Sequence, residues 1–201
     1  MKEISLLDRL LLLITGLLAG YQVVAGISEK PNLAIVTYTI AFGVLLVAGL
    51  LIIIMGFSIL DAPSVAVISS LIPLSLSLGL VVEHLPDLVN FYLPFSILGF
   101  CAILLSRYLL TEQIGVIILA TVHGISGLFI FALPLILSRK GITPARFAFV
   151  GVGGGLIGMG GILLSFLKAG KPLLPKKTIL RMLPGLLLLM TACFVIGFAG
   201  V

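Results

Sequence analysis

Long uninterrupted apolar runs alternate with short polar clusters along the whole chain, and that rhythm outweighs any amphipathic period. Seven runs stand out, at about 10–28, 33–60, 64–82, 88–107, 113–138, 146–167 and 182–201. A helix needs about 20 apolar residues to cross the hydrocarbon core, so each run predicts one membrane span. Strands are excluded, because a barrel segment alternates apolar and polar residues over about 10 positions and these runs do not alternate. The punctuation fits helix starts: Ser28-Glu29-Lys30-Pro31-Asn32, Asp61-Ala62-Pro63, Leu85-Pro86-Asp87 and Thr143-Pro144 each join a capping residue or charge to a proline. The break between the fourth and fifth spans, Arg107 to Glu112, is the weakest of the six.

Composition strengthens this picture. Of the 201 residues 61% are hydrophobic and 9% charged, whereas a soluble domain is about a quarter charged. The chain is therefore expected to be an all-α, polytopic integral membrane protein: a single bundle of about seven transmembrane helices. Lys2 and Arg9 before an apolar run, with Val23-Val24-Ala25 behind it, resemble a cleaved leader. Glu3 and Asp8 dilute that charge and the run is long enough to span, so the first helix is expected to be retained.

The net charge of +5 bears on orientation and on lipid rather than on nucleic acid. A cytoplasmic N-terminus gathers Lys2, Arg9, Arg107, Lys168, Lys171, Lys176, Lys177 and Arg181 on the inner side and leaves Lys30, Arg139, Lys140 and Arg146 outside, which is the expected sense in a plasma (inner) membrane. The 168–181 loop, rich in cations, leucines and prolines, is expected to lie on anionic lipid headgroups. With no Trp, the interfacial anchors are expected to be Tyr21, Tyr38, Tyr92 and Tyr108. Cys101 and Cys193 sit in apolar runs with no metal or redox spacing and read as packing residues.

Chemistry at membrane depth narrows to few positions. His123 is the one ionisable residue near the middle of a span, and such a residue defaults to a functional site. Glu112, at the end of the same span, and Ser126, on its face, extend a candidate proton or cation path, whose imidazole would titrate between about pH 5 and 8. Ser69, Pro73 and Ser77 share one face of the third span. Pro73 frees a carbonyl there, so the serines either line a solute path or bond back to their own helix. Glu83, His84 and Asp87 cluster at the opposite mouth as a cation-attracting group without the spacing of a metal motif. In the sixth span Gly151, Gly154, Gly155 and Gly158 form small-xxx-small pairs, which predict a closely packed helix or a flexible gate. Gly153, Gly155 and Gly158 also fit GxGxxG, but with no preceding strand they do not indicate a dinucleotide site.

A faint self-similarity relates the first span to the fifth (Gly16-Leu-Leu-Ala-Gly20, Gly124-Ile-Ser-Gly127) and the second to the sixth (Phe42-Gly43, Val150-Gly151). It suggests a three-plus-one-plus-three plan with the fourth helix as linker. No Ser/His/Asp set, HExxH, acidic pair or P-loop is present, the histidines do not share the depth that paired haem ligation needs, and the last span has no mid-helix Lys for retinal. Neither catalysis nor a metal or other cofactor is therefore expected. Two function classes remain: a permease or channel for an ion or small solute, proton-linked through His123, and a non-catalytic subunit or assembly factor of a larger membrane complex. Self-association and complex partners are open to either.

Overall fold

The computed structural model describes residues 4–25, 30–168 and 170–199, and all regular structure among them is helical. Seven helices follow in order: α1 (Leu6–Ala25), α2 (Asn32–Met55), α3 (Pro63–His84), α4 (Val89–Leu109), α5 (Glu112–Arg139), α6 (Ala148–Lys168) and α7 (Lys176–Phe198). Each is long and apolar enough to cross a membrane, and the chain has the build of a multi-pass membrane protein. Short 3-10 turns at Phe57–Asp61, Pro86–Leu88 and Ala145–Phe147 lead into α3, α4 and α6.

The helix ends have local causes. Ahead of α1, Ser5 and Asp8 form a reciprocal cap: the Ser5 amide donates to Asp8 Oδ2 at 3.0 Å and the Asp8 amide to Ser5 Oγ at 3.1 Å. Pro31 and Pro175, in extended conformation, precede α2 and α7, and Pro63 begins α3. The second apolar run stays uncharged to residue 60, yet α2 stops at Met55 because Gly56 turns the backbone left-handed at φ 74°. The fourth and fifth helices part at Leu110 and Thr111, both extended.

The surface loop expected over 168–181 is shorter than that. Helix α7 starts at Lys176 and carries Lys176, Lys177 and Arg181 in its first turns, since charge marks the edge of the hydrocarbon and long cationic side chains can reach the headgroups from a helix. Lys176 Nζ lies 3.8 Å from Asp61 Oδ2, an exposed pair that joins the loop before α3 to the start of α7.

Six helices close into a ring, α1–α2–α3–α5–α6–α7 and back to α1, and α4 stands outside it against α3 and α5. Only one narrow stripe of α4 is buried, Tyr92, Ser96, Gly99, Ile103 and Ser106, spaced alternately by four and three residues. That is the seam spacing of helices packed nearly parallel. Large apolar side chains such as Leu17, Phe91, Ile117 and Leu128 face outward, as a lipid-facing surface requires.

The ring is filled unevenly. At the end that carries Lys30 and Glu83, Tyr38, Phe42, Phe147, Phe194 and Phe198 are all buried to within 2% and stack edge-on or tilted, with ring centroids 4.8–6.3 Å apart. At the end that carries Asp61, a smaller cluster of Leu12, Ile52, Phe57, Leu180 and Leu183 closes the bundle.

Candidate functional site

Between those two ends the ring holds a partly open cavity of about 220 Å³. It is walled by α2 residues from Val44 to Ile52, α3 residues from Val65 to Pro73, Ile157 to Leu164 of α6 and Leu183 to Met190 of α7, with Ile59 and Leu60 at the Asp61 end. Its polar side chains are Thr15, Ser69 and His123. Thr15 donates to the Leu11 carbonyl at 2.8 Å and Ser69 to the Ala66 carbonyl at 3.2 Å, so both hydroxyl protons are spent inside their own helices. His123 Nδ1–H donates to the Leu119 carbonyl at 3.1 Å. That bond fixes the tautomer and leaves Nε2 as the ring's remaining polar atom. Pro73, on the α3 wall, has no N–H to give the Ser69 carbonyl, so a backbone acceptor is left without its helical donor at the same level. The cavity thus offers an apolar envelope in which Thr15, Ser69 and His123 are the residues with polar side chains.

The other path candidates are distributed differently. Ser77 bonds back to the Pro73 carbonyl at 2.7 Å and the Leu74 carbonyl at 3.0 Å, and Ser70 to the Val67 carbonyl at 2.6 Å. Of the two expectations for the third span, back-bonding is what these hydroxyls do. Ser77 and Ser126 are fully buried on α3 and α5, the two helices against which α4 packs, and neither lines the cavity. Glu112 opens α5, but its side chain lies outside the described residues.

At the Glu83 end the expected cation cluster divides. Asp87 is exposed. Glu83 turns inward, where Lys30 Nζ pairs with Oε1 at 2.5 Å and the Tyr38 hydroxyl donates to Oε2 at 2.9 Å. His84 Nε2 sits 3.8 Å from Glu83 Oε1, and its ring packs on Phe147 at 5.1 Å. Glu83 therefore already has its cation, supplied 53 residues away in sequence. No group of three His, Cys, Asp or Glu able to hold a metal occurs among the described residues. Together, the ion pair and the aromatic layer below it form a seal across the ring on that side of the cavity.

The sixth-span glycines bring α6 against two neighbours. A Cβ at Gly151 would fall 2.7 Å from the Phe131 carbonyl oxygen, and one at Gly154 2.7–2.9 Å from Ile130, both on α5. Gly155 faces the Phe131 ring at 3.3 Å. Gly158 departs from its expected packing role: no atom lies within 4 Å of a Cβ there. Gly153 and Gly160 meet Phe194 and Leu186 of α7, a contact the spacing pattern did not single out.

Sequence reasoning also missed the partners of Glu83 and the burial of Tyr38 and Tyr92. These two, expected as interfacial anchors, are 2% and 6% exposed, whereas Tyr21 and Tyr108 are 59% and 61% exposed and point outward. The available signal for Tyr92 was its place at the head of the small-residue stripe of α4. No protein-family model, curated protein or solved structure matches the chain.

Proposed function

We propose that this chain is a permease of the cell membrane for a small, uncharged, largely apolar solute, with its N-terminus cytoplasmic and transport linked to protons through His123. The observation that carries the proposal is the cavity inside the six-helix ring, closed toward the Glu83 end by the Lys30–Glu83–Tyr38 cluster and its aromatic layer, with His123 on its wall. An apolar wall cannot replace the hydration shell of an ion, so an ion is the less favourable occupant. A volume of about 220 Å³ exceeds the roughly 150 Å³ of apolar cavities that bind benzene. Nε2 of His123 supplies one directional contact and is the group that gains or loses a proton.

Reconstitution in liposomes tests this directly. Wild-type protein should carry small apolar alcohols or aromatic amines faster than empty liposomes do, acidifying one side should change the rate, and His123→Ala should abolish the carried flux while the protein still folds. Wild-type protein that carries none of a broad panel, yet co-purifies stoichiometrically with other membrane subunits after gentle extraction, would instead make it a non-catalytic subunit of a larger complex.

A further inference from the structure

The cavity is stopped toward both water-facing ends, by the Lys30–Glu83–Tyr38 cluster with its aromatic layer on one side and by the cluster around Leu12, Phe57 and Leu183 on the other. It is nevertheless partly open, and the exposure of its own wall locates the opening. Every lining residue is buried or half-buried except Val47 and Ile68, which are 50% and 49% exposed. Ile68 is the one large apolar side chain of α3 that is exposed, and from Ile72 to Val81 every residue of that helix is buried. Val47 belongs to the outward stripe of α2, with Val36, Ile40, Leu50 and Ile54.

These two side chains flank one seam. Near the Glu83 end α2 and α3 touch so closely that a Cβ at Gly79 would overlap the Tyr38 ring. The two helices are consecutive and run in opposite directions, so Val47, nine residues on along α2, and Ile68, eleven back along α3, come to the same level. There the seam is no longer covered, and both residues reach the cavity and the outer surface. Val47 stands about 12 Å inside the Met55 end of α2 at 1.5 Å per residue, within a hydrocarbon core about 30 Å thick. What lies outside the opening at that depth is lipid chain. A void beside hydrocarbon forfeits the dispersion contacts of its lining, and a chain end that enters restores them without leaving an apolar medium. We propose that the cavity is entered from the side, between α2 and α3 at Val47 and Ile68, by a hydrocarbon chain from the bilayer. Resting on the permease reading, this names the substrate class: a chain-bearing molecule dissolved in the membrane, not one drawn from water.

The chain has no Trp, so single tryptophans in vesicles of phosphatidylcholine with brominated acyl chains report chain contact through quenching. Met190→Trp, at a wall position 1% exposed, should be quenched nearly as strongly as Ile54→Trp on the lipid face, while Phe147→Trp, buried away from the cavity, should stay bright. Val47→Phe with Ile68→Phe should narrow the opening and restore the Met190→Trp fluorescence without changing that of Ile54→Trp. In wild-type protein, a long-chain alcohol with a terminal diazirine should label Leu183 and Met190 on illumination, and excess unmodified alcohol should remove the label; this result decides the matter where an indole itself fills the cavity. Unlabelled Leu183 and Met190, or quenching of Met190→Trp by water-soluble trichloroethanol but not by brominated chains, overturns the chain site. Quenching that the two phenylalanines leave unchanged overturns entry between α2 and α3. None of these measurements involves transport, so wild-type protein that binds the chain and gives no flux is a failure of the permease reading alone.

Discussion

Two glycines one turn apart on α6 make opposite predictions for the same substitution. At Gly154 an added Cβ would stand 2.7 Å from Ile130 Cγ2, 2.8 Å from the Ile130 carbonyl carbon and 2.9 Å from its oxygen. Two of those atoms are backbone, so no rotamer change relieves the overlap. Carbon contacts are comfortable at about 3.5–4.0 Å, so α5 and α6 must separate by about 1 Å along a helix-long interface. Overpacking of this kind costs about 1–3 kcal/mol. At Gly158 a Cβ meets nothing within 4 Å. Replacing Gly by Ala inside a helix gains about 0.8–1.0 kcal/mol at either position. This gain is common to both variants, so the difference between Gly154→Ala and Gly158→Ala isolates the packing cost.

The expected outcome is that Gly158→Ala is as stable as wild type or more so, with Gly154→Ala below it by about 1–3 kcal/mol. Cys193 is buried and Cys101 exposed, so in a Cys101→Ser background a thiol-reactive dye reports exposure of Cys193 on α7 as the detergent-solubilised protein is heated. Equal Tm values for the two variants, or a higher one for Gly154→Ala, would refute close α5/α6 contact as the reason for glycine at 154.

Removing one partner of the Lys30–Glu83 pair, whose side chains are 5% and 13% exposed, strands a charge: Lys30→Ala should cost about 3–5 kcal/mol, and Lys30→Met with Glu83→Gln together should lose less, read as Tm in the same dye assay. Gly161 lines the cavity with open space at its Cβ, so Gly161→Leu should fill it, stop solute flux in liposomes and leave Tm unchanged or raised; undiminished flux would place the solute elsewhere. For orientation, a cysteine at Lys171→Cys, in the exposed turn before α7, should react with impermeant reagent only from the cytoplasmic face, and labelling only from outside would invert the topology.

The seven helices were legible in the sequence because the bilayer imposes one coarse demand, about 20 apolar residues without charge, and the chain meets it seven times. Ends were legible where proline writes them, at Pro31 and Pro63, and not at Gly56, whose uncharged surroundings hide a left-handed stop. His123 stood out as the one titratable group at depth, and the cavity wall does include it. Its surroundings were hidden, because a cavity is a property of which helices meet, and continuously apolar spans carry little information on facing. The Lys30–Glu83–Tyr38 cluster was equally hidden: each residue, taken alone, looks like an interfacial charge or anchor, and what makes them a unit is the meeting of α2 and α3.

The position of α4 bears on the plan of the ring. Helix adjacency maps onto itself when α1, α2 and α3 are exchanged with α5, α6 and α7: α1–α2 and α2–α3 become α5–α6 and α6–α7, and the closing contact α3–α5 becomes α7–α1. That is the arrangement expected of two parallel three-helix units joined by a linker helix that leaves the ring. The glycines that suggested the repeat do not carry it, however. Gly16 packs on Leu46 of α2, while its counterparts Gly124 and Gly127 on α5 face open space; Gly151 packs on α5, while Gly43 faces nothing. Helices in equivalent places of the ring thus keep their neighbours without sharing the residues that make the contacts. Aromatic side chains on α2 and α7 fill the Glu83 end of the ring, and short or branched aliphatic ones leave the cavity between that layer and the cluster at the Asp61 end. In the proposed permease, that inequality along the ring sets the level at which a solute would be held.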